Sequence, residues 1–320
     1  MENRKVRYGI ISTAGIAPRF IRASLNTDNS VFTAVASRDL AKAREFALKN
    51  GLEKAYGSYD ELYEDPDIDA VYVPTVNSLH YPCALKALEH SKHVIVEKPM
   101  TMTSRQREEL FRVAEEKGLF ICEAIKVLFL PTILEVKQIV DSGEYGRIRF
   151  LEFHQSYVES RYAGGWHKQK KHGGGVLRGN EAYFLSVCEL FCGRIEKYVG
   201  LPAFGSYDVE DQMSVTLLLQ DNVIASSNVS TDILFDNGLV IYLEKARIVI
   251  PDYWKARKRY VYQNGELVKT ISHPVDYEMC YELQHYSDCI LAGKKTSPVV
   301  TPEKSIRYIK ITEEILESWE

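Results

Sequence analysis

The chain has 320 residues, of which 45% are hydrophobic and 26% are charged, a balance that is typical of globular proteins and excludes a chain disordered throughout. Its formal net charge of -4 argues against nucleic acid as the main partner, because binding to phosphate backbones requires a basic surface. The sequence shows neither a signal peptide nor an apolar run of bilayer length, so we expect a cytoplasmic protein with no membrane partner.

Short apolar runs alternate with helix-length segments in the first part of the chain. We predict strands at 6–11, 32–37, 69–73, 93–96 and 119–122, and helices at 16–25, 40–49, 78–90 and 104–117. Asp39 is a suitable N-cap for the second helix. Strands separated by helices imply right-handed crossovers, so the pattern predicts an α/β fold with a doubly wound parallel sheet over residues 1–124.

The rhythm changes after about residue 124. We predict a helix at 131–143, strands at 148–158, 213–219, 223–230, 239–243, 259–263 and 266–271, and closing helices at 277–291 and 302–319. Asn264-Gly265 is a strong signal for a two-residue hairpin between the last two strands. Residues 125–320 are therefore predicted to form an α+β domain with a large, mainly antiparallel sheet, which binds the substrate.

The turn after the first strand is a candidate site for a dinucleotide. A Rossmann fold places pyrophosphate there, against backbone N–H groups at a helix N-terminus. In place of the usual glycine-rich pattern the turn has small residues that allow close approach of a phosphate. We predict contacts to the cofactor from Ser12, Thr13, Ala14, Gly15 and Ile16. Taken alone, this segment is equally compatible with a plain tight turn.

The end of the second predicted strand favours NADP over NAD. An NAD site often has an acidic residue there, which holds the ribose hydroxyls, whereas this chain has Ser37-Arg38. The guanidinium of Arg38 suits a 2′-phosphate, which an acidic side chain would repel. The alternative is a solvated arginine that merely precedes the Asp39 cap, and NAD remains a possible cofactor.

The strand at 93–96 leads into Glu97-Lys98-Pro99, at the sheet edge where ligands bind in open α/β folds. Pro99 restricts the backbone, which helps to hold Lys98 in place. A lysine beside a dinucleotide can bind a substrate oxygen and transfer a proton. The alternative is a surface lysine at a strand end.

Three segments in order, 71–80, 84–88 and 92–99, give the sequence a strong resemblance to the glucose–fructose oxidoreductase/inositol dehydrogenase (Gfo/Idh/MocA) family. The segments 36–39 and 55–59 bring it nearest to the dimeric dihydrodiol dehydrogenase branch. The resemblance extends through the glycine run at 173–175 to Ser297-Pro298, which is nearly the whole chain.

The resemblance implies a catalytic role for Lys98, the lysine of the Glu-Lys-Pro motif. It implies that the loop with Asn77 and His80 lies near the nicotinamide ribose, and we expect Thr75 and Glu97 to contact the cofactor as well. After the glycine run, the family has an aspartate followed four residues later by a histidine or tyrosine. In this chain the second position is Tyr183, which could relay a proton. The alternative for Tyr183 is a packed aromatic residue.

Two residues depart from the family pattern. Gly179 occupies the aspartate position, which leaves Asn180, Arg178 or Glu181 as substitutes, and Leu128 replaces an arginine of the branch. Trp166 and His167, which precede the glycine run, are further candidates for substrate contact, although a loop tryptophan often only covers a core. The six cysteines are scattered and no cluster has metal-ligand spacing, so we expect free thiols and metal-free chemistry.

These features predict an NAD(P)-dependent oxidoreductase that transfers hydride between nicotinamide and a sugar, cyclitol or diol, or the matching carbonyl compound. The resemblance also implies a homodimer through the C-terminal sheet. The rival hypothesis is a non-catalytic NAD(P) sensor or transcriptional co-regulator of the same fold, which would explain the missing aspartate but has no need of Lys98 and Tyr183.

Overall fold

The computed structural model describes residues 4–157 and 165–319, which form two compact units. The first unit comprises the chain up to Ile125 together with Tyr277–Ile306, and the second comprises Lys126–Asp276 and the chain from Arg307 onward. The two units therefore differ from the predicted division into residues 1–124 and 125–320, because the segment Tyr277–Ile306 packs with the N-terminal residues. None of the helices in the described ranges is long and apolar enough to cross a membrane.

The first unit is built on a six-stranded parallel sheet with the strand order β3-β2-β1-β4-β5-β6. Its central strands are apolar runs because helices cover both faces, which leaves no solvated side for polar residues. The predicted doubly wound sheet is thus confirmed. The strands are β1 (Val6–Ile11), β2 (Ser30–Ala36), β3 (Lys54–Tyr56), β4 (Ala70–Val73), β5 (His93–Glu97) and β6 (Ile121–Ala124).

Local signals set the ends of the helices in this unit. Asp39 caps α2 by accepting from the backbone N–H groups of Ala41 and Lys42, as predicted, and Gly51 ends the helix in the left-handed conformation. α8 packs on α1 and the sheet, where Ser287 Oγ lies 2.8 Å from Tyr8 Oη. The helices are α1 (Ala17–Ser24), α2 (Leu40–Asn50), α3 (Tyr59–Glu64), α4 (Asn77–Glu89), α5 (Ser104–Lys117) and α8 (Cys280–Leu291).

The second unit is built on an eight-stranded sheet with the order β14-β13-β12-β11-β7-β10-β9-β8. All neighbouring strands are antiparallel except β7 and β10, so the predicted mainly antiparallel sheet is confirmed. The strands are β7 (Ile148–Ser156), β8 (Ile195–Phe204), β9 (Glu210–Leu219), β10 (Val223–Ser230), β11 (Gly238–Leu243), β12 (Arg247–Pro251), β13 (Lys258–Gln263) and β14 (Glu266–Ser272). The helices α6 (Pro131–Ser142) and α7 (Val176–Cys192) belong to this unit, and α9 (Pro302–Glu317) follows α8.

The predicted hairpin turn is confirmed, with Asn264 at φ 51° and Gly265 at φ 85° between β13 and β14. The predictions missed β3, α3, β8 and β12, and they began β6 two residues early. β3 has only three residues and sits at the sheet edge, so it carries little periodic signal. β8 is exposed at most of its positions, which removes the alternation that marks a half-buried strand. The predicted end of β7 at Val158 lies outside the described residues.

Candidate active site

Four of the sequence-predicted segments lie at one edge of the parallel sheet. Ser12 follows β1, Ser37 follows β2, and Lys98 follows β5, while Thr75 stands two residues beyond β4. Parallel strands have their carboxyl ends at a common edge, and the strand order reverses between β1 and β4. The first unit therefore gathers residues predicted to contact the cofactor, together with Lys98, at the position where open α/β sheets bind ligands.

Several features of the turn after β1 fit a bound dinucleotide. Ser12 adopts φ 90°, and its buried Oγ has no hydrogen-bond partner among the described residues. A side chain at Gly15 would meet nothing within 4 Å, so the space over the turn is open. No side chain caps α1, which leaves its N-terminal backbone groups for an anion. Pro18 in the first turn has no N–H to satisfy.

The end of β2 offers a positive charge that the fold does not use. Arg38 is exposed, and no carboxylate of the described part of the chain forms an ion pair with it. The neighbouring Asp39 is occupied as the cap of α2, with Ala41 N 2.9 Å from its Oδ1. This strand end thus presents an exposed guanidinium, while the nearest carboxylate, that of Asp39, caps α2 through its Oδ1.

The loop after β4 is tied to the loop that follows Lys98. His80 is buried, with its Nδ1 2.7 Å from Pro99 O and its Nε2 3.0 Å from Thr75 O. Burial lowers the pKa of His80, while the two facing carbonyls act in the opposite direction because they favour a protonated ring. Both ring nitrogens face backbone carbonyls, and His80 therefore links the two loops. Asn77, also predicted as a cofactor contact, is buried at the start of α4.

The residue before Lys98 is held by two donors. Tyr72 Oη donates to Glu97 Oε1 at 2.6 Å, and the backbone N–H of Lys98 donates to Glu97 Oε2 at 3.3 Å. Lys98 itself is half-buried at the end of β5, followed by a cis peptide bond to Pro99. The carboxylate of Glu97, which was predicted to bind cofactor, thus also organises the strand end that presents Lys98.

Residues that the sequence analysis did not single out hold the other side of Lys98. Glu123 Oε1 accepts from Met100 N at 2.9 Å, and its Oε2 lies 2.9 Å from Arg107 Nη1. Both charged side chains are almost fully buried. A signal for them exists in the sequence, because Glu123 is an acidic residue within an apolar strand, where an unpaired charge would be very unfavourable.

The glycine run that precedes α7 is required by close contacts. A side chain at Gly174 would lie 2.3 Å from His167 O, and Gly175 has φ 106°. Gly175 N donates to the same carbonyl at 2.9 Å. Glu210 then accepts from Leu177 N at 2.8 Å in the first turn of the helix. The run thus fixes where α7 begins and how Tyr183 projects from it.

The predicted substrate residues of the second unit gather around the first turns of α7. Tyr183 and Asn180 are both buried on this helix. Tyr157 Oη donates to Asn180 Oδ1 at 2.6 Å, while Asn180 Nδ2 donates to Val176 O at 2.7 Å. A Cβ atom at Gly179 would meet nothing within 4 Å. The position therefore has room for the side chain that the family aspartate would begin.

The rings of Trp166 and His167 lie against one another, tilted by 34° and with centroids 3.8 Å apart. Both side chains are half-buried in a short 3-10 helix. Leu128, at the other position that departs from the branch pattern, is buried. Within residues 4–157 and 165–319, no cluster of three or more histidine, cysteine or acidic side chains could hold a metal ion.

A doubly wound parallel sheet joined to a large, mainly antiparallel sheet is the architecture of a nucleotide-binding oxidoreductase. Residues 6–124 match the Gfo/Idh/MocA family described as an oxidoreductase family with an NAD-binding Rossmann fold, and residues 133–249 match a Gfo/Idh/MocA C-terminal domain. The chain belongs to the Gfo/Idh/MocA family, and the resemblance drawn from its sequence is confirmed.

Its relatives include the trans-1,2-dihydrobenzene-1,2-diol dehydrogenase of Mus musculus, which is 32% identical over 324 residues covering 97% of this chain and 95% of the relative. The enzyme of the same name from Xenopus tropicalis is 31% identical, with 97% of each chain covered. Among solved structures, the 3-ketoreductase KijD10 from Actinomadura kijaniata, in complex with NADP and TDP-benzene, is 26% identical. It superposes with a TM-score of 0.89 over 98% of both chains.

Proposed function

We propose that this oxidoreductase transfers hydride between a nicotinamide dinucleotide and a ring carbon that bears a hydroxyl group or the matching carbonyl group. The observation that carries the proposal is the common sheet edge at which the β1 turn, the β4 loop and Lys98 lie. When bound, the nicotinamide ring accepts or supplies the hydride. The chain must bind the substrate, orient it and move one proton.

Lys98 is the proposed catalytic residue for that proton. Its amine binds the substrate oxygen and stabilises the negative charge that develops there. The backbone around it is fixed by Glu97, Pro99 and Met100, so the amine is presented from a rigid strand end. Tyr183 is proposed to assist the proton transfer as a phenol.

The proposed cofactor is NADP. Its support is Arg38, which is exposed and lacks a carboxylate partner among the described residues, beside an aspartate that is already used as a helix cap. The similarity to KijD10, whose structure contains NADP, agrees with this choice. NAD, which lacks the 2′-phosphate, is the alternative cofactor for the same turn.

The proposed substrate class is a cyclic compound with neighbouring hydroxyl groups, as in sugars, cyclitols and dihydrodiols. The names of the relatives from Mus musculus and Xenopus tropicalis support a trans-diol. Gly179 removes the family carboxylate that would bind a hydroxyl, and the neighbouring Asn180, whose Oδ1 accepts from Tyr157 Oη, is the proposed replacement.

Turnover and cofactor affinity test the proposal together. We expect NADP reduction with trans-1,2-dihydrobenzene-1,2-diol or with one member of a panel of sugars and cyclitols. Lys98→Ala should lower kcat by about a thousandfold or more while the Kd of NADPH stays within about threefold. Lys49→Ala, an exposed lysine of α2, is the matched control.

Near-normal kcat in Lys98→Ala would refute the role of the lysine. Tight NADPH binding with no turnover across the panel would instead favour the non-catalytic sensor. Tyr183→Phe keeps the packing of the ring and removes only the hydroxyl, so a loss of kcat is expected there, with no more than the small loss of stability that one hydrogen bond contributes.

The proposed assembly is a homodimer through the C-terminal sheet. In the middle of β8, Gly200 faces Ile315 and Trp319, whereas the side chains on either side of it, Val199 and Leu201, are 62% and 71% exposed. Exposed apolar side chains at the edge of a large sheet face suit a second copy of the chain. The proposed location is the cytoplasm, in keeping with six free cysteines.

A further inference from the structure

The segment that follows Lys98 is held by a buried carboxylate from the neighbouring strand. β6 pairs with β5 so that Glu123 stands beside Val96. The Glu123 side chain reaches the backbone N–H of Met100, 2.9 Å from its Oε1. Both Glu123 and Met100 are fully buried, so no water can take over that hydrogen bond.

A second charge fixes the orientation of this carboxylate. Arg107 Nη1 lies 2.9 Å from Glu123 Oε2, and Ser305 Oγ donates to the same oxygen at 2.7 Å. Arg107 also donates to Thr101 Oγ1 at 3.3 Å and to Ser305 O at 2.7 Å. The guanidinium therefore contacts the segment after Lys98 in two ways. It contacts Thr101 directly, and it contacts Met100 indirectly through Glu123.

Contacts on both sides now bracket Lys98. Glu97 is held by Tyr72, the Pro99 carbonyl faces His80, and the Met100 amide is held by Glu123. We infer that Glu123, oriented by Arg107, is a positioning residue that sets the height and direction of the Lys98 amine at the sheet edge. This inference rests on the proposed function, since it assumes that Lys98 acts on the substrate.

The stability that a buried ion pair contributes is different from the positioning role that we infer for Glu123. Apolar residues of similar volume replace a buried ion pair with little loss of stability in many proteins, so stability alone does not require the pair. Such residues offer no acceptor to a backbone N–H. The feature that only the carboxylate supplies is the hydrogen bond to Met100, two residues beyond Lys98.

Two variants test the inference in the full-length protein. Glu123→Ala removes the acceptor and leaves Arg107 unpaired, whereas the double variant Arg107→Met/Glu123→Met removes both buried charges and retains the volume. We expect the double variant to fold and its melting temperature to fall by less than about 10 °C, because the loss of the ion pair costs little whereas the Met100 N–H is left without an acceptor. Ser287→Ala is the matched control, because it deletes buried hydrogen bonds to Tyr8 and Ser30 in the same unit and leaves the contacts of Glu123 and Arg107 intact.

In the double variant we expect amide exchange of residues 100–103 to be faster by about tenfold or more, since the Met100 N–H has lost its acceptor. With trans-1,2-dihydrobenzene-1,2-diol, or the panel compound that is turned over fastest, kcat should fall by about tenfold to a hundredfold. The Kd of NADPH should stay within about threefold of wild type, and Ser287→Ala should behave as wild type in all three measurements.

A stable double variant with wild-type exchange and wild-type kcat would overturn the inference. An equal loss of NADPH affinity and kcat would also overturn it, because it would show a general collapse of the nucleotide site. Lys98→Ala, assayed in parallel, separates the two hypotheses. If that variant keeps its kcat, the proposed function fails, whereas a dead Lys98→Ala beside a fully active double variant refutes the positioning role alone.

Discussion

Arg38→Ser tests the cofactor assignment with little risk to the fold. The side chain is exposed and has no carboxylate partner in the described ranges, so its removal should leave the unfolding free energy unchanged. A hydrogen bond to a charged group contributes about 1.5–3 kcal/mol. Because solvent screens an exposed pair, we expect about 1.5–2 kcal/mol, which is about 10- to 30-fold in the Kd of NADPH.

The measurement is a fluorescence titration of NADPH and NADH against wild type and Arg38→Ser, at low and high ionic strength. The affinity for NADH should not change, since that cofactor lacks the 2′-phosphate, and high salt should reduce the difference for NADPH. Asp39→Asn is the matched control, because asparagine retains the α2 cap. Equal loss of both cofactors, or NADPH affinity within threefold of wild type, would refute the reasoning.

Two further predictions concern the second unit. Burial raises the pKa of Glu210 above its ordinary value of 4.5, so the folded state keeps this proton to higher pH and loses stability as pH rises from about 4.5 through the raised value. Glu210→Gln retains an acceptor for the α7 N-terminus, and its advantage in urea unfolding should therefore grow from about pH 4 to pH 7, whereas a constant difference would contradict this. Val199→Lys/Leu201→Lys should convert the proposed dimer to monomer in sedimentation velocity, while Leu48→Lys, at a still more exposed position on α2, should not. Dimer persisting in the double variant would exclude β8 from the interface.

Much of the fold follows from local pattern. The predicted α5 agrees with the structure at both ends, and β5 differs by one residue, because an apolar run or an amphipathic helix is defined by neighbours in sequence. The Asp39 cap is likewise a contact within three residues. The turn after β1, Arg38 and Lys98 could be located for the same reason, since each follows directly from a strand end.

The support for Lys98 could not be predicted in this way. Arg107 contacts Ser305, which is 198 residues distant in the chain, and Glu123 reaches Met100 across a strand pairing. Hydropathy patterns carry no information on such partners. The acidic Glu123 within an apolar strand marks a buried charge, but only the three-dimensional arrangement of β5, β6 and α5 identifies what it holds.

The first unit consists of two segments that are far apart in the chain, and this affects the order in which the protein can fold during synthesis. On the ribosome, β1 through β6 emerge first, yet Ser287, which contacts Tyr8, is made only after the whole stretch Lys126–Asp276. Strands β7 to β14 can therefore close into their sheet while the nascent nucleotide-binding half still lacks α8. That half is translated first, yet its core stays incomplete until the segment Tyr277–Ile306 has been made, and only the last residues of the second unit are made later.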